Sequence, residues 1–495
     1  MEGLFGYGIV GIYMALLLLT GKVIGRRFPS NNQSLNEYLF AGKQVPFGLL
    51  APSIFTSWLW VTTIVGSGEA GFRYGISGGM AYSLGAAMGF ALLIPVLVKM
   101  KRLMPESVTF IDFIGVRYNA FLKDLYYVFA LLVAVYVIVE QSAGIALVFN
   151  GLFLVSFKKI AFITVILCGI YVVWRGMRGV LYNELFNFFL ISICLLAFIL
   201  FVIRKFDIPE LYQGLSVVQS NAENNNYNPE ALNLLSKSGI MYAFLAVMIA
   251  LGQILLDPGY YMKAHAARDE KTIIRSFFTG GVLIWSPIAI LSSFVIGYAT
   301  LSQNFDFSKA VNVSIAISTK VITEYFGPGI QVLFAFLIFC IGCTSIIHCL
   351  IGIQSLFTLN FYNSKLKADA SEDEKLKFGR LVSLLIAFLC ALISIALEKV
   401  SLLTIDTFSG IFFAAPCGAI IMGILSKKEM RNTAWISILL GIGSGFFTWL
   451  AIPDEEWNYF YGIGCSFFIP ILFLMAVSFV TKKKFNFKKL LFFKE

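Results

Sequence analysis

Apolar runs of membrane-crossing length, parted by short polar links, cover almost the whole chain. They fall near 5–24, 47–72, 78–98, 125–150, 159–174, 179–203, 239–262, 276–300, 328–360, 379–397, 401–425, 433–452 and 458–481. A helix needs about 20 mostly apolar residues to cross the hydrocarbon, so the pattern predicts thirteen spans. Barrel strands would instead be short segments of alternating character. The predicted fold class is therefore an all-α polytopic membrane bundle. One stretch departs from its neighbours: 46–79, PFGLLAPSIFTSWLWVTTIVGSGEAGFRYGISGG, which carries Pro46, Pro52, Ser53, Thr56, Ser57, Thr62 and Thr63 and ends in a glycine run. Inside a bilayer an interrupted helix persists only where protein or a water-filled cavity satisfies the freed N–H and C=O groups. The stretch reads either as a broken helix of the kind that holds ion and solute in secondary transporters, or as a plain span with a few tolerated small polar residues.

Composition sharpens the class without changing it. Of 495 residues, 58% are hydrophobic and 13% charged, and the mean hydropathy is +0.82. The net charge of +10 would point to a polyanionic partner until the charges are placed. With the N-terminus outside, most of the 38 Lys and Arg fall on the cytoplasmic side. Examples are Arg26 and Arg27, Lys99 to Arg102, Lys263 and Arg268, and Lys482 to Lys484. That bias is the positive-inside rule, so the basic balance reflects topology and predicts no nucleic-acid partner. The start, MEGLFGYGIV, lacks a basic segment and a small-residue cleavage site and reads as a retained first helix. All eight cysteines lie inside predicted helices and read as reduced packing residues. Only two links are long, an Asn- and Glu-rich external one at 204–238 and a charged cytoplasmic turn at 363–378. The tail after 481 is a basic strip suited to headgroups.

Ionisable residues inside spans are costly and commonly functional. They are Glu69, Arg73, Glu140, Glu184, Asp257 and Asp406. Glu69 and Arg73 stand four apart and read as a self-neutralising pair. Asp257 precedes Pro258-Gly259, a second break. Two interrupted helices in corresponding positions are what an inverted repeat would produce, here 46–203 against 239–425, joined by the loop 204–238. The segment 1–30 would be the first helix, 426–481 the last two helices and 482–495 the tail. Thr344 and Ser345 offer hydroxyl oxygens at mid-span, or else bond back to their own helix. There is no HExxH motif and no Walker A lysine, and the two histidines, His265 and His348, are too few for a histidine-built metal site. An enzyme is not expected.

The pattern S-W-L-W-x-x-T at 57–63, then Y-G-I-S-G-G at 74–79, C-T-S-x-x-H-x-L at 343–350 and S-L-F-T-x-N-F-Y at 355–362, resembles the sodium/solute symporter family. The resemblance covers essentially the whole chain and implies the LeuT-type inverted repeat. Within the family, 57–78 and D-P-G-Y-Y-M-K-A-H-A-A-R (257–268) look most like the urea- and polyamine-transporting branch. By that resemblance sodium would be held by the carbonyls of Thr56, Leu59 and Ile341 and the hydroxyls of Thr344 and Ser345. Glu184, where many members have Asp, would assist sodium exit. Solute would lie near Trp58, Trp60, Thr62, Thr63, Tyr82, Gln253 and Asp406. Leu283 stands where sugar-transporting members have Lys, which argues against a sugar. Asp406 with Trp58 and Trp60 would suit an amino or ammonium group. The expected function is sodium-coupled symport of a small polar, nitrogen-containing solute across the cell membrane by alternating access, with no obligate protein partner. A proton-coupled symporter or passive facilitator on the same scaffold is the alternative.

Overall fold

The computed structural model describes residues 2–27, 34–105, 107, 109–307, 309–367, 369–400 and 402–491. The start of the polar link (28–33) and the end of the basic tail (492–495) lie outside the described residues. Among the described residues, eleven helices are long and apolar enough to span a membrane. The chain begins with α1 (Glu2–Arg27) and a short α2 (Leu35–Phe40). A pair bent by 55° follows, α3 (Phe47–Trp58) and α4 (Val61–Tyr74). Next come α5 (Ile76–Leu103), α6 (Phe110–Arg117), α7 (Ala120–Phe153), α8 (Phe157–Lys205) and α9 (Ile208–Ser220). The second half holds α10 (Lys237–Leu256), α11 (Pro258–Ala266), α12 (Glu270–Leu301), α13 (Val313–Tyr325), α14 (Pro328–Tyr362) and α15 (Glu372–Ala396). It closes with α16 (Leu402–Leu425), α17 (Ala434–Ala451), α18 (Glu455–Val480) and α19 (Lys488–Leu491).

The expected thirteen spans and the eleven observed helices are reconciled by two bends. α3 and α4 together make one broken span. The 49-residue α8 is two spans run together across Gly176, which has φ +60 and ψ −164. Only glycine reaches that conformation readily. The bend is held from below by α2, where the Tyr38 hydroxyl donates 3.1 and 3.0 Å bonds to the carbonyls of Val172 and Val173. At the inner face of α8 the ring of Tyr38 fills the space a Cβ on Gly176 would need, 2.8 Å away.

Packing sorts the spans by burial. α16 is the most enclosed of the spans among the described residues, 78% buried over its most apolar window, with α7 and α14 next at 72% each, whereas α1, α17 and α18 are only 28% buried. α14 lies against α7 and α8, α10 lies between α5 and α16, and α17 and α18 pair at the periphery. Exposed Leu, Phe and Val along α1, α15 and α18 face what a bilayer would cover.

Three expectations need correction. Lys263 is not a loop charge: α11 continues to Ala266, and the Lys263 side chain is fully buried. The link 302–327 is a third long one and contains α13, which packs onto α4. The basic tail is not merely a strip for headgroups. Its start pairs with 427–429 through Phe485 N–H to Lys427 O (2.8 Å) and Glu429 N–H to Lys483 O (2.9 Å), and Phe485 lies 4.4 Å from the buried Arg117 guanidinium.

The bend in α8 generates a prediction. Gly176→Ala has to bear both a disfavoured backbone conformation and the collision with Tyr38. We expect it to lose about 1–3 kcal/mol, seen as a lowered unfolding temperature in detergent. Gly443→Ala, which meets nothing within 4 Å, should leave that temperature unchanged or slightly raised.

Candidate functional site

The break between α3 and α4 is the centre of the site. α3 ends because Leu59 (φ −80, ψ 98) and Trp60 (φ −94, ψ 164) take extended conformations. This leaves carbonyls at the end of α3 and amides at the start of α4 without helical partners, in a layer where water cannot serve them. Side chains from four elements take over. The Trp60 indole donates to Ser57 O (3.0 Å), the Trp285 indole to Trp58 O (3.0 Å) and the Ser345 hydroxyl to Leu59 O (3.3 Å). On the other side, Trp60 N–H donates to Thr63 Oγ1 (3.0 Å) and Val61 N–H to Gln141 Oε1 (2.7 Å). Thr56 O is the carbonyl of this set for which no donor stands among the described residues.

Three of the five oxygens expected to hold sodium converge. Ser345 Oγ is 3.3 Å from Leu59 O and 3.3 Å from Ile341 O. The hydroxyl thus bridges α14 to the broken helix, with the unserved Thr56 carbonyl one turn before Leu59. The set is neutral, buried and all oxygen, the donor chemistry a hard cation takes. Thr344 is directed elsewhere, its hydroxyl donating to Cys340 O at 2.6 Å.

The expected solute residues divide into three groups. A cavity of about 740 Å³ is lined by Thr62, Gly66, Glu69, Arg73, Tyr82 and Asp406, among others. It opens on the side of the 227–238 loop, away from the buried Arg117 and the tail. At its floor the Tyr82 hydroxyl donates to Thr62 O (3.2 Å). Asp406 Oδ1 accepts from Tyr136 OH (2.7 Å) and Gln253 Nε2 (2.9 Å). Trp60 contacts the Tyr136 ring at 6.4 Å and so stands one residue removed from Asp406. Trp58 is placed apart, among Trp60, Phe90, Tyr260 and Trp285 with centroids 5.2–6.4 Å away. Thr63 serves the break itself, as above.

The remaining intramembrane charges have distinct surroundings. Arg73 Nε meets Glu69 Oε1 at 2.7 Å, the expected self-neutralising pair, and Ser314 on α13 donates to the other oxygen of Glu69. Asp257 caps α11 through Gly259 N–H (2.7 Å) and meets His348 Nε2 at 3.2 Å. Glu140 is buried, with Gln141 Nε2 as a donor (3.2 Å) and, among the described residues, none for its Oε1. Neither Glu140 nor Asp406 has a cationic side chain in an ion pair among the described residues, and of the two Asp406 lines the cavity. Glu184, expected at the sodium exit, meets Lys263 Nζ at 2.8 Å and Ser53 Oγ at 2.5 Å, with both charged side chains fully buried.

Sequence reasoning did not identify Tyr136, Gln141, Trp285 or the Lys263 partner of Glu184. The first three sit in spans whose apolar pattern gives no hint of which hydroxyl or amide turns inward. For Lys263 a signal existed: after Pro258-Gly259 no further breaker occurs before Ala267, so the helix had to carry Lys263 into the bundle.

Three comparisons with known proteins bear on the site. The sodium:solute symporter family profile matches residues 38–441. The chain is 23% identical over 466 residues to the urea active transporter of Saccharomyces cerevisiae, covering 90% of this chain and 63% of that protein. It is 23% identical over 478 residues to the urea-proton symporter DUR3 of Oryza sativa subsp. japonica, covering 92% and 66% respectively. The chain therefore spans about two thirds of the length of these relatives. In fold it is similar to a Na+-coupled sialic acid symporter solved in a substrate-bound outward-open state, with a TM-score of 0.79 and 16% identity over 98% of this chain and 100% of that one.

The bridging role of Gln141, acceptor for the Val61 amide and donor to Glu140, can be tested directly. Gln141→Leu leaves the Val61 amide buried without an acceptor and should cost about 1–3 kcal/mol of stability, measured by thermal unfolding. Gln141→Glu keeps an oxygen for the Val61 amide but replaces the amide that donates to Glu140 with a second buried acid, and so should recover little of the loss.

Proposed function

This chain belongs to the sodium:solute symporter family, and we propose that it carries a small nitrogen-containing solute, urea foremost, into the cell with sodium by alternating access. The observation that carries the reading is the Ser345 hydroxyl, 3.3 Å from both the Leu59 and Ile341 carbonyls. A sodium ion placed among these oxygens and Thr56 O would tie α14 to the break and thereby fix the cavity floor that α4 helps to build. An affinity gain passed from ion to solute is returned in equal measure, because coupling is reciprocal. A membrane potential of 100 mV adds about 2.3 kcal/mol per ion, which supports roughly a 50-fold solute gradient at one ion per solute.

Orientation follows from charge. The N-terminus lies outside and the tail inside the cell membrane, so the cavity faces outward and the structure is closed inward. α3 to the end of α8 and α10 to α16 are the two halves of the inverted repeat, in line with their matching breaks at 59–60 and 257. At the floor, Asp406 is the acceptor for solute N–H groups. Its Oδ1 is already served by Tyr136 and Gln253, which aims the second oxygen at what enters. Two relatives are named for urea, a neutral molecule whose four N–H groups suit carboxylate acceptors as well as an ammonium would.

Proton coupling is the second reading. The acids Glu140 and Asp406, without a cationic partner among the described residues, favour it, and the rice relative is named as a proton symporter.

Uptake of labelled urea into proteoliposomes separates these readings. An inward sodium gradient with an inside-negative potential should drive accumulation, and a pH gradient of equal size should not. Ser345→Ala should lower the rate at limiting sodium about tenfold, the equivalent of ~1.4 kcal/mol of ion binding. Asp406→Asn should raise the half-saturating urea concentration by a similar factor while leaving the sodium dependence in place. Accumulation under the pH gradient alone would replace sodium with the proton.

A further inference from the structure

On the closed side of the ion site lies a buried lysine that no transport role yet uses. Lys263 Nζ, on α11, donates to Glu184 Oε1 (2.8 Å) on α8 and to Ser53 O (3.1 Å) on α3. Glu184 Oε2 in turn accepts from Ser53 Oγ at 2.5 Å. Ser53 is thus held twice, by its carbonyl and by its hydroxyl, and all three residues are fully buried. Charges are taken out of water only at a large cost, which excellent geometry must offset. Here the geometry joins three helices at one point.

Two further features make this point a joint and not an isolated pair. Ser53 stands one turn before Thr56 in an unbroken piece of α3, and the Thr56 hydroxyl donates to Pro52 O at 3.0 Å with Ser53 O 3.4 Å away. Whatever moves Ser53 therefore moves the Thr56 and Leu59 carbonyls. The near ends of α3 and α11 are also bound to each other by backbone, Val45 N–H to Ala266 O (3.0 Å) and Arg268 N–H to Val45 O (3.1 Å). α3 and α11 are hence coupled on this face, and Glu184 is their attachment to α8. Pro52, inside α3, lacks an N–H for the preceding turn and gives that end of the helix a place to flex.

We infer that Lys263 is the residue that couples ion occupancy to the inner gate: its ammonium, with Ser53, fastens α3 to Glu184 and so holds the Thr56 and Leu59 carbonyls toward Ser345. Opening toward the basic face separates Glu184 from the joined α3 and α11. The same movement takes two carbonyls away from the ion and leaves Glu184 free of its lysine when the cation departs. The expected sodium-exit acid thereby acquires a condition: it is available to the cation only when the clamp is open. This rests on the alternating-access reading above, with the ion at Ser345.

The test uses Cys349, which lies on α14 one turn beyond Ser345 and is 1% exposed. The full chain in lipid nanodiscs is treated with N-ethylmaleimide in sodium chloride or potassium chloride, and labelling of Cys349 is followed by mass spectrometry. In the paired variant Lys263→Met with Glu184→Gln, we expect labelling in potassium about tenfold faster than in the unaltered protein, and about tenfold more sodium needed for half-protection. The exchanged pair, Lys263→Glu with Glu184→Lys, should restore slow labelling. Ser53→Ala, which removes one bond and no charge, should give a change of about threefold in the same direction and reads the outcome should the paired variant fail to fold. Unaltered labelling and unaltered sodium protection in folded variants would overturn the inference. If the unaltered protein shows no sodium protection while the paired variant still labels faster, the clamp stands as a gate, and its coupling to sodium, with the sodium reading of the function, falls.

Discussion

A polypeptide that stops being helical in the middle of a bilayer must find partners for the backbone groups it exposes, because hydrocarbon offers none. That requirement at Leu59 and Trp60 organises this molecule. Trp285 from α12, Ser345 from α14 and Gln141 from α7 are all turned toward the break to meet it. Those helices are thereby fixed in relation to one another. The Ser345 hydroxyl that serves the Leu59 carbonyl also lies 3.3 Å from the Ile341 carbonyl. The repair of the break and the approach of these three oxygens rest on the same contacts. With Thr56 O left unserved among the described residues, a cation would complete what side chains leave open.

Charge follows a similar economy on the two sides of this point. Toward the closed face, Glu184 and Lys263 neutralise each other and Asp257 faces His348. Toward the open cavity, Glu69 is matched by Arg73, but Asp406 and Glu140 are met by hydroxyl and amide donors rather than by cations. Neutral clusters can be buried and released as helices part. Acid without a cation is suited to recruiting N–H donors or a positive charge. In the proposed transport cycle this distribution would give the two faces different tasks, holding on one side and binding on the other.

Much of this was legible in the sequence. Every apolar run became helical, two of them (47–72 and 239–262) as helices divided at a break, and Pro52 with the Ser/Thr cluster lies in the first of these. The run 159–203 was divided correctly in two, although the backbone joins the halves across Gly176 as a single bent helix. What could not be read was direction. Trp58 and Trp60 look equivalent as neighbours in sequence, yet Trp58 sits in an aromatic cluster and Trp60 turns toward Tyr136. Thr344 and Ser345 are adjacent hydroxyls, and only the second reaches across to another helix. Lys263 was placed in a loop because counting apolar residues ends a span at the first charge, whereas a buried charge continues the helix if an acid waits for it. Each of these depends on long-range packing, which periodicity does not encode.

The central claim is that the oxygens at the α3–α4 break and Ser345 form a sodium site in the folded protein. A ligand that binds only the folded state raises its stability by RT ln(1 + [L]/Kd). Thermal unfolding of the purified protein in sodium chloride and in potassium chloride at equal ionic strength, with Ser345→Ala alongside, tests the claim most directly. The account predicts a higher unfolding temperature in sodium that the variant loses. Equal temperatures in the two salts, or a sodium-specific rise that survives in Ser345→Ala, would contradict it.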